Sequence, residues 1–308
     1  MRKMLYFVNL LFLYFNFVSC QLHVYDAVPG LDPSPYYEIQ VKEESRTSWI
    51  PVFTLLTECT AEKFCNTTGH FEFLKNWSNT YVNFELETGT DIEIKIIKLF
   101  GDDLVTKAVV RPETVAVAVI EDGEVIVKIS EPCLFTVDIN GQMDDQDTGK
   151  LPDGGGLYHG PSIHTVTIFA NPFISKPSMD DPEVLTVSPG DEVPSNGSWS
   201  TLYFLPGLHD VGVEYSVHSG KSYYIPGDAV VYGTFTNDDW DDGKNIHIFG
   251  HGTISGDKTP HPLNTSYPES EHWRFRPVSI QSKSLMLDTS LLILILQMHR
   301  THQLKESP

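Results

Sequence analysis

Short stretches of alternating apolar and polar residues recur along this chain, and no long segment has the spacing of an amphipathic helix. Tyr37 to Val41 and Tyr81 to Leu86 alternate in this way, Trp49 to Leu56 reads as a further strand, and Asp91 to Phe100 alternates isoleucine with charged residues. A period of two places successive side chains on opposite faces of a strand. The N-terminal half is therefore predicted to be an antiparallel β-sandwich.

The clearest hairpin is predicted between Thr114 to Ile120 and Glu124 to Ile129. The two runs are joined by Glu121-Asp122-Gly123, and Asp-Gly supplies the positive φ that tight hairpin turns need. This hairpin places both runs in one antiparallel sheet.

A different pattern begins at Ser222. Two β-rich runs, Ala229 to Phe235 and Ile246 to Ser255, are punctuated by glycine and separated by a loop of Asn, Asp and Gly. The phrase around Val231 recurs around Ile248 after about 18 to 19 residues, a spacing typical of a solenoid coil.

Such strands have too little apolar surface to be stable alone and need to stack on a like neighbour. Gly233, Gly250 and Gly252 would allow positive-φ corners between the strands. The pattern therefore favours a parallel β-helix with these two phrases in successive coils. An ordinary antiparallel hairpin accounts for the same residues.

The two halves are separated by a connection rich in proline. Asn171 to Ser198 holds five prolines and the acidic Asp180-Asp181, and Ser200 to Phe204 reads as the first coil. We therefore predict an all-β chain with a signal peptide at 1–20, a sandwich domain at 21–185, the start of a β-helix at 186–280 and an atypical tail at 281–308.

Several phrases resemble glycoside hydrolase family 49, which contains dextranases and isopullulanase. LYFLPGLHDVG, YYIPGDAVVYGTF and IHIFGHGTISGD resemble the first coils of its right-handed, pectin-lyase-like β-helix. Thr114 to Pro172, with CLFTVDINGQ and TIFANPF, resembles the β-sandwich that precedes those coils. The resemblance implies an inverting hydrolase of an α-glucan such as dextran, and no cofactor is predicted.

The resemblance also implies that the catalytic aspartates lie on coils downstream of the GHGTISGD phrase, which this sequence does not reach. Glu271 to Ile280 resembles the start of another coil, whereas residues 281–308 contain no glycine and no coil phrase. A truncated gene model, an alternative exon or a frameshift would explain this tail, or it caps the open end of the solenoid. We expect a family 49-like protein that lacks the catalytic coils. The alternative is a non-catalytic carbohydrate-binding or truncated product without independent activity.

Candidate sugar contacts are aromatic. Trp240 lies in the loop Asn237 to Asp242, whose four carboxylates suit a solvated turn, a calcium-type oxygen cluster or catalytic acids. Trp273 reads as a loop residue or a stacking platform for a pyranose, and His251 as a corner residue or a sugar contact. Tyr223 and Tyr224 point to opposite faces if they lie on a strand, so that one of them, here taken as Tyr224, lines a groove. No metal site is predicted.

The N-terminus has a secretory layout, with Arg2 and Lys3 before the apolar Leu5 to Val18 and a small-residue exit at Ser19-Cys20. The alternative is an uncleaved signal anchor. Glycosylation sequons begin at Asn66, Asn76, Asn196 and Asn264. Together these features predict a secreted glycoprotein with no membrane attachment after cleavage.

Cysteine use fits an oxidising compartment. Cys59 and Cys65 lie six positions apart, which favours a local disulfide between them. Cys133 then remains, either as a small buried hydrophobe or paired with another chain.

Composition narrows the function classes. The 308 residues include 41% hydrophobic residues, 20 prolines and 22 glycines, enough for two cores rich in turns. A formal net charge of −20 disfavours nucleic acids and anionic membranes as partners, because both repel an acidic protein. A neutral α-glucan is the partner class that remains.

Overall fold

The structure is a computed structural model that describes residues 21–59, 77–140, 147–150, 157–159, 164–237, 243–256, 278–280, 284–287 and 292–294. These residues form 23 β-strands without a helix, which confirms the predicted all-β class, and no helix among them has the length and apolarity to cross a membrane. The first strands are β1 (Leu22–Val24), β2 (Tyr37–Glu43), β3 (Ile50–Val52), β4 (Leu55–Cys59), β5 (Trp77–Leu86), β6 (Ile92–Lys98), β7 (Ala108–Arg111), β8 (Ala118–Glu121), β9 (Glu124–Ile129), β10 (Cys133–Ile139), β11 (Asp147–Lys150), β12 (Leu157–His159) and β13 (His164–Asn171). The remaining strands are β14 (Val184–Val187), β15 (Thr201–Phe204), β16 (Gly207–Ser216), β17 (Ser222–Ile225), β18 (Ala229–Asn237), β19 (Lys244–Gly250), β20 (Thr253–Ser255), β21 (Val278–Ile280), β22 (Ser284–Leu287) and β23 (Leu292–Leu294).

The first strands build a two-layer sandwich. One sheet has the order β1-β5-β13-β10-β7, with β4 also beside β5, and the other has the order β3-β2-β6-β9-β8. Inward side chains of both sheets, such as Phe84 and Ile94, meet in one apolar core. The hairpin of β8 and β9 is confirmed, since Asp122 and Gly123 take φ values of 51° and 83° in the turn between the paired Glu121 and Glu124.

The prediction of a purely antiparallel sandwich is wrong at one place. β13 pairs parallel to β5 over the eight positions from His164 beside Ser78 to Asn171 beside Glu85. A period-two pattern shows which face of a strand is buried, but it carries no information about the direction of the neighbouring strand. Because β5 and β13 are far apart in sequence, the chain can return to β5 in either direction.

The later strands form a parallel β-helix. One solenoid sheet has the order β14-β15-β17-β19-β22, and the other has β16-β18-β20-β23 with β21 also beside β18. Every pairing in both sheets is parallel. Their inward side chains fill a second core, which includes Phe204, Tyr223, Val231, Ile248 and Ile254.

The predicted coil register is wrong. Val231 lies in β18 and pairs with Ile254 of β20, whereas Ile248 lies in β19 and pairs with Tyr223 of β17. The phrases around Val231 and Ile248 thus occupy the two different sheets that enclose one core, instead of stacking in one sheet. Successive coils are separated by 25 positions along one sheet, from Tyr223 to Ile248, and by 23 along the other, from Val231 to Ile254. Both sheets alternate apolar residues and glycine, so a similar phrase recurs at each half of a coil.

Strands from residues 278–294 continue both solenoid sheets. β22 pairs with β19, with Met286 beside His247, and β23 pairs with β20, with Ile293 beside Ile254. β22 and β23 lie in the 281–308 segment, where no coil phrase marks the sequence, yet both pair in parallel with strands of the preceding coil.

A third apolar cluster joins the two domains. It consists of the sandwich residues Leu55 and Tyr81, the connecting residue Val28 and the solenoid residue Val230, with Phe53, Phe169, Leu208 and Tyr232 packed around them. Tyr81 is 2% exposed and Val230 is 3% exposed. Since both side chains point away from their own domain cores, the sandwich and the solenoid bury each other's outer faces.

Two glycines fix the close stacking of coils. Gly250 has a φ of 120°, and a Cβ there would overlap the carbonyl oxygen of Ile225 in the preceding coil. Gly233 has a φ of 129°, and a Cβ there would overlap the Gly212 carbonyl. Gly252 does not take the predicted positive φ; it is required instead by contact with Ile225 and Pro226.

We predict that Gly250→Ala lowers the free energy of unfolding by about 2 kcal/mol or more. The positive φ is strained for a residue with a Cβ, and the Cβ would overlap the carbonyl oxygen of Ile225 in the preceding coil. Gly212→Ala is the matched control, since Gly212 has a φ of 79° but a Cβ added there would meet nothing within 4 Å. Urea unfolding should show the smaller loss for Gly212→Ala, about 1 kcal/mol. Equal losses would contradict the role assigned to coil contact.

Candidate functional site

Strand β5 presents polar side chains to the solenoid. Val82, Phe84 and Leu86 point into the sandwich core, so the alternate residues Asn83 and Glu85 point outward. Both outward side chains are nonetheless buried, at 7% and 1% exposure. The outward face of β5 is therefore covered, and the groups that cover it belong to a corner of the β-helix.

Asn83 binds two coils at that corner. Its Nδ2 donates to the carbonyl oxygen of Gly227 at 3.3 Å and also to the carbonyl oxygen of His251. Gly227 follows β17, and His251 follows β19 in the next coil. One amide group thus satisfies carbonyl groups of two successive coils, which sets the position of the sandwich along the solenoid axis.

Glu85 and His251 form a buried pair across the same junction. Nε2 of His251 lies 3.4 Å from Oε1 of Glu85, and each residue is 1% exposed. The same Nε2 lies 3.0 Å from the carbonyl oxygen of Pro172. Because both neighbours are acceptors, this nitrogen carries a proton. His251 thus lies at a corner of the solenoid, which was one of the two roles predicted for it.

Lys176 and Tyr25 complete the cluster. Nζ of Lys176 lies 3.9 Å from Oε2 of Glu85 and 5.9 Å from the centre of the Tyr25 ring. The Tyr25 ring packs directly on Gly227, where a Cβ would overlap it. A glycine is therefore required at the corner so that the ring can enter.

The acidic groups of this cluster have pKa values that are shifted in different directions. Burial raises the pKa of Glu85, but the contact with His251 and the charges of Lys176 and His23 outweigh it, so the pKa stays below its ordinary value. Burial raises the pKa of the neighbouring Asp228 above its ordinary value. Burial and the charge of Glu85 likewise raise the pKa of the Tyr25 hydroxyl.

Two carboxyl groups with divergent pKa values suit acid–base chemistry in an open cleft. Here Glu85 is sealed between two domains, and its partners come from both sides of the junction. The arrangement therefore acts as a docking lock that holds the sandwich on the solenoid. Among the described residues, no group of three or more His, Cys, Asp or Glu side chains is placed to hold a metal ion.

An aromatic column lies on the outer face of the first solenoid sheet. Tyr203, Tyr224 and Phe249 occupy equivalent positions in successive coils, with ring centres 4.7 Å and 5.1 Å apart. Phe249 also stacks on His247 at 4.3 Å, with an angle of 7° between the rings. Tyr223 fills the solenoid core, so the opposite orientation of the two adjacent tyrosines is confirmed.

Tyr224 itself is only 1% exposed, because neighbouring rings and the domain junction cover it. Its predicted contact with a sugar stays a prediction. The exposed end of the column is formed instead by His247 and Phe249, which are both part-buried. These two residues were not among the predicted sugar contacts, although their spacing of two within a strand indicates a shared face.

Other predicted site residues lie outside the described residues: Trp240 with residues 238–242, Trp273, Cys65, and the sequon residues Asn66, Asn76 and Asn264. Asn196 is exposed in the connection before β15. Cys133 is a part-buried free thiol, and burial raises its pKa to about 11, which keeps it protonated at neutral pH. The predicted Cys59–Cys65 disulfide stays a prediction.

Neither a protein-family model nor a curated protein matches this chain. Among solved structures, Dex49A from Penicillium minioluteum has a similar fold, with a TM-score of 0.57 and 17% sequence identity. The match covers 77% of this chain and 48% of that chain, so this chain spans about half the length of Dex49A. The likeness shows the fold: a sandwich followed by a parallel β-helix.

We predict that Glu85→Gln lowers the free energy of unfolding by about 2 kcal/mol near neutral pH, because it removes the buried carboxylate that Nε2 of His251 and the Lys176 cation contact. The folded-state pKa of Glu85 lies below its ordinary value of 4.5. Its stabilising contribution is therefore complete above that value and is lost as the pH falls through the folded-state pKa.

Urea unfolding at about pH 7 and about pH 3 measures this contribution. The difference between wild type and Glu85→Gln should narrow at the lower pH, whereas the exposed Glu113→Gln control should stay close to wild type throughout. A difference that is the same at both pH values would mean that the charge of Glu85 does not hold the junction.

Proposed function

We propose that this chain is a carbohydrate-active protein resembling glycoside hydrolase family 49 and that its ligand is an α-glucan. The observation that carries the proposal is the order of a β-sandwich and a parallel β-helix, shared with Dex49A over 77% of the chain. The coil phrases from Leu202 onward point to the same family. A stack of coils offers an extended surface, which suits a polymer better than a small ligand.

His247 and Phe249 supply a fitting contact on that surface. Their stacked rings are part-exposed, and Ser222 and Thr201 continue the row of His247 along the preceding coils. Flat rings bind the apolar face of a pyranose, and hydroxyl groups bind its oxygens. The net charge of −20 favours a neutral glucan over a polyuronide, which the protein would repel.

Binding and hydrolysis are separate properties in this proposal. The resemblance implies that family 49 places its catalytic aspartates on coils downstream of the GHGTISGD phrase. The buried acid Glu85 is engaged by His251 and Lys176 at the domain junction. We therefore propose glucan binding as the activity of this chain, and inverting hydrolysis as the ancestral activity.

We predict that the purified chain is retarded by dextran or pullulan in affinity gels and not by polygalacturonate. Phe249→Ala should weaken the binding about tenfold, since it removes one stacking face. A reducing-sugar assay on the same polymers should show no turnover. Turnover would contradict the binding proposal and support hydrolysis by this chain. If the chain neither binds nor hydrolyses any of these glucans, the proposed carbohydrate function is wrong.

We also propose that the protein is secreted and glycosylated, from the signal layout at residues 1–20 and the four sequons. Asn196 is exposed, and its Oδ1 accepts from the backbone N–H of Gly197 at 2.8 Å, in a turn open to a modifying enzyme.

Expression in a eukaryotic secretory host tests this proposal directly. Protein from the medium should lose mass on treatment with an N-glycosidase, and Asn196→Gln and Ser198→Ala should each remove the same single glycan. Retention of the chain in the cell would contradict secretion. An unchanged mass for both variants would show that the Asn196 sequon is not used.

A further inference from the structure

Trp49 lies over the outer face of the sandwich sheet that contains β2 and β6. Two lysines stand beneath it: Nζ of Lys42 is 4.7 Å from the centre of the indole ring, and Nζ of Lys95 is 4.6 Å from it. Lys42 and Lys95 belong to these neighbouring strands and point to the same outer face, since Lys42 pairs with Glu93 and Gln40 pairs with Lys95. The indole is therefore held over the sheet while part of it stays exposed to solvent.

Ion pairs fix the lysines below the ring. Lys42 is bound to Glu93 at 2.7 Å, and Lys95 is bound to Glu124 at 2.9 Å. Their side chains are only 19% and 17% exposed. Because both cations are already oriented, the aromatic ring loses little further freedom when a ligand binds.

The lysines and their acidic partners form a row of ion pairs across the sheet, in which acidic and basic side chains balance. Nζ of Lys128 lies 2.8 Å from Glu93 and 2.8 Å from Glu44, so acids and bases alternate along it. Such a face attracts neither a polyanion nor a polycation strongly, although the whole protein is acidic. It offers fixed donors and acceptors beside an aromatic ring, which is the combination that a neutral sugar requires.

A cavity of about 420 Å³ adjoins this row. Glu44 and Lys128 form part of its wall, Asp91 and Ser130 add polar groups, and Val115 and Ile129 add apolar surface. This volume falls within the range of small-ligand pockets and accommodates a sugar unit. Lys128 in the cavity wall is bound to Glu93, which is bound in turn to Lys42 beneath the indole, so a row of ion pairs runs from the cavity toward Trp49.

We propose that this face, centred on Trp49, is a second carbohydrate site that binds a neutral oligosaccharide independently of the solenoid. The ligand class rests on the proposed function, whereas the site itself is carried by the indole, the balanced ion pairs and the cavity. It would anchor the protein to a polymer while the solenoid contacts another stretch of the same polymer, which raises the affinity through effective concentration.

The test compares Trp49→Ala, Trp49→Phe and Phe173→Ala in the full-length chain. Phe173 is a matched control, because it is an aromatic residue with 41% exposure on another surface. Calorimetric titration with a short neutral isomalto-oligosaccharide should show about tenfold weaker binding for Trp49→Ala and an intermediate loss for Trp49→Phe. Phe173→Ala should bind as wild type does, and thermal melting of each variant identifies any loss of fold.

The outcomes separate the second site from the solenoid surface. If wild type binds and Phe249→Ala weakens binding while Trp49→Ala does not, the second site is refuted and the solenoid proposal stands. If Trp49→Ala weakens binding, folds as wild type does, and its loss adds to that of Phe249→Ala, the second site is supported. If wild type binds no neutral glucan, both proposals fail together.

Discussion

The hydrogen bonds from Asn83 to two successive coils are the constraint on which the relative placement of the domains depends. A solenoid can accept a neighbour at several positions along its axis, because its coils are alike. Apolar contacts around Tyr81 and Val230 favour burial but do not select one register. Asn83 selects it, since its amide meets the carbonyl groups of Gly227 and His251 at one place, and a shift by one coil would leave buried polar groups unsatisfied.

Strand β5 performs two structural tasks with one alternating sequence. Val82, Phe84 and Leu86 stabilise the sandwich, while Tyr81, Asn83 and Glu85 stabilise its contact with the solenoid. Any distortion of β5 therefore affects both cores. The buried pair of Glu85 and His251 carries a desolvation cost, and the nearby Lys176 cation offsets part of that cost.

Local sequence patterns predicted the elements of the fold better than their partners. Asp122-Gly123 defined a hairpin because the turn chemistry is local, and the alternation of isoleucine with charged residues around Ile94 defined a strand and its buried face. The parallel pairing of β13 with β5 was missed because strand direction depends on distant chain segments. The coil register was missed because the phrases around Val231 and Ile248 look alike although they lie in opposite sheets.

The docking lock was also invisible to pattern reasoning, for a physical reason. Asn83 and Glu85 alternate with apolar residues, and this pattern normally indicates a solvated face. Only the approach of His251, 168 positions beyond Asn83 along the chain, shows that the face is buried. Trp49 was predicted to lie in a strand, whereas its position over Lys42 and Lys95 depends on the pairing of β2 with β6.

We infer that the sandwich and the first coils form one cooperative unit, which carries both of the proposed sugar-binding surfaces. Native-state hydrogen exchange measures this most directly, because it reports the opening free energy of each backbone amide. We expect the amides of β5 and of the corners at Gly227 and Gly252 to open together, with one shared free energy and one dependence on denaturant. Separate opening of the solenoid corners at a much lower free energy than β5 would contradict the account.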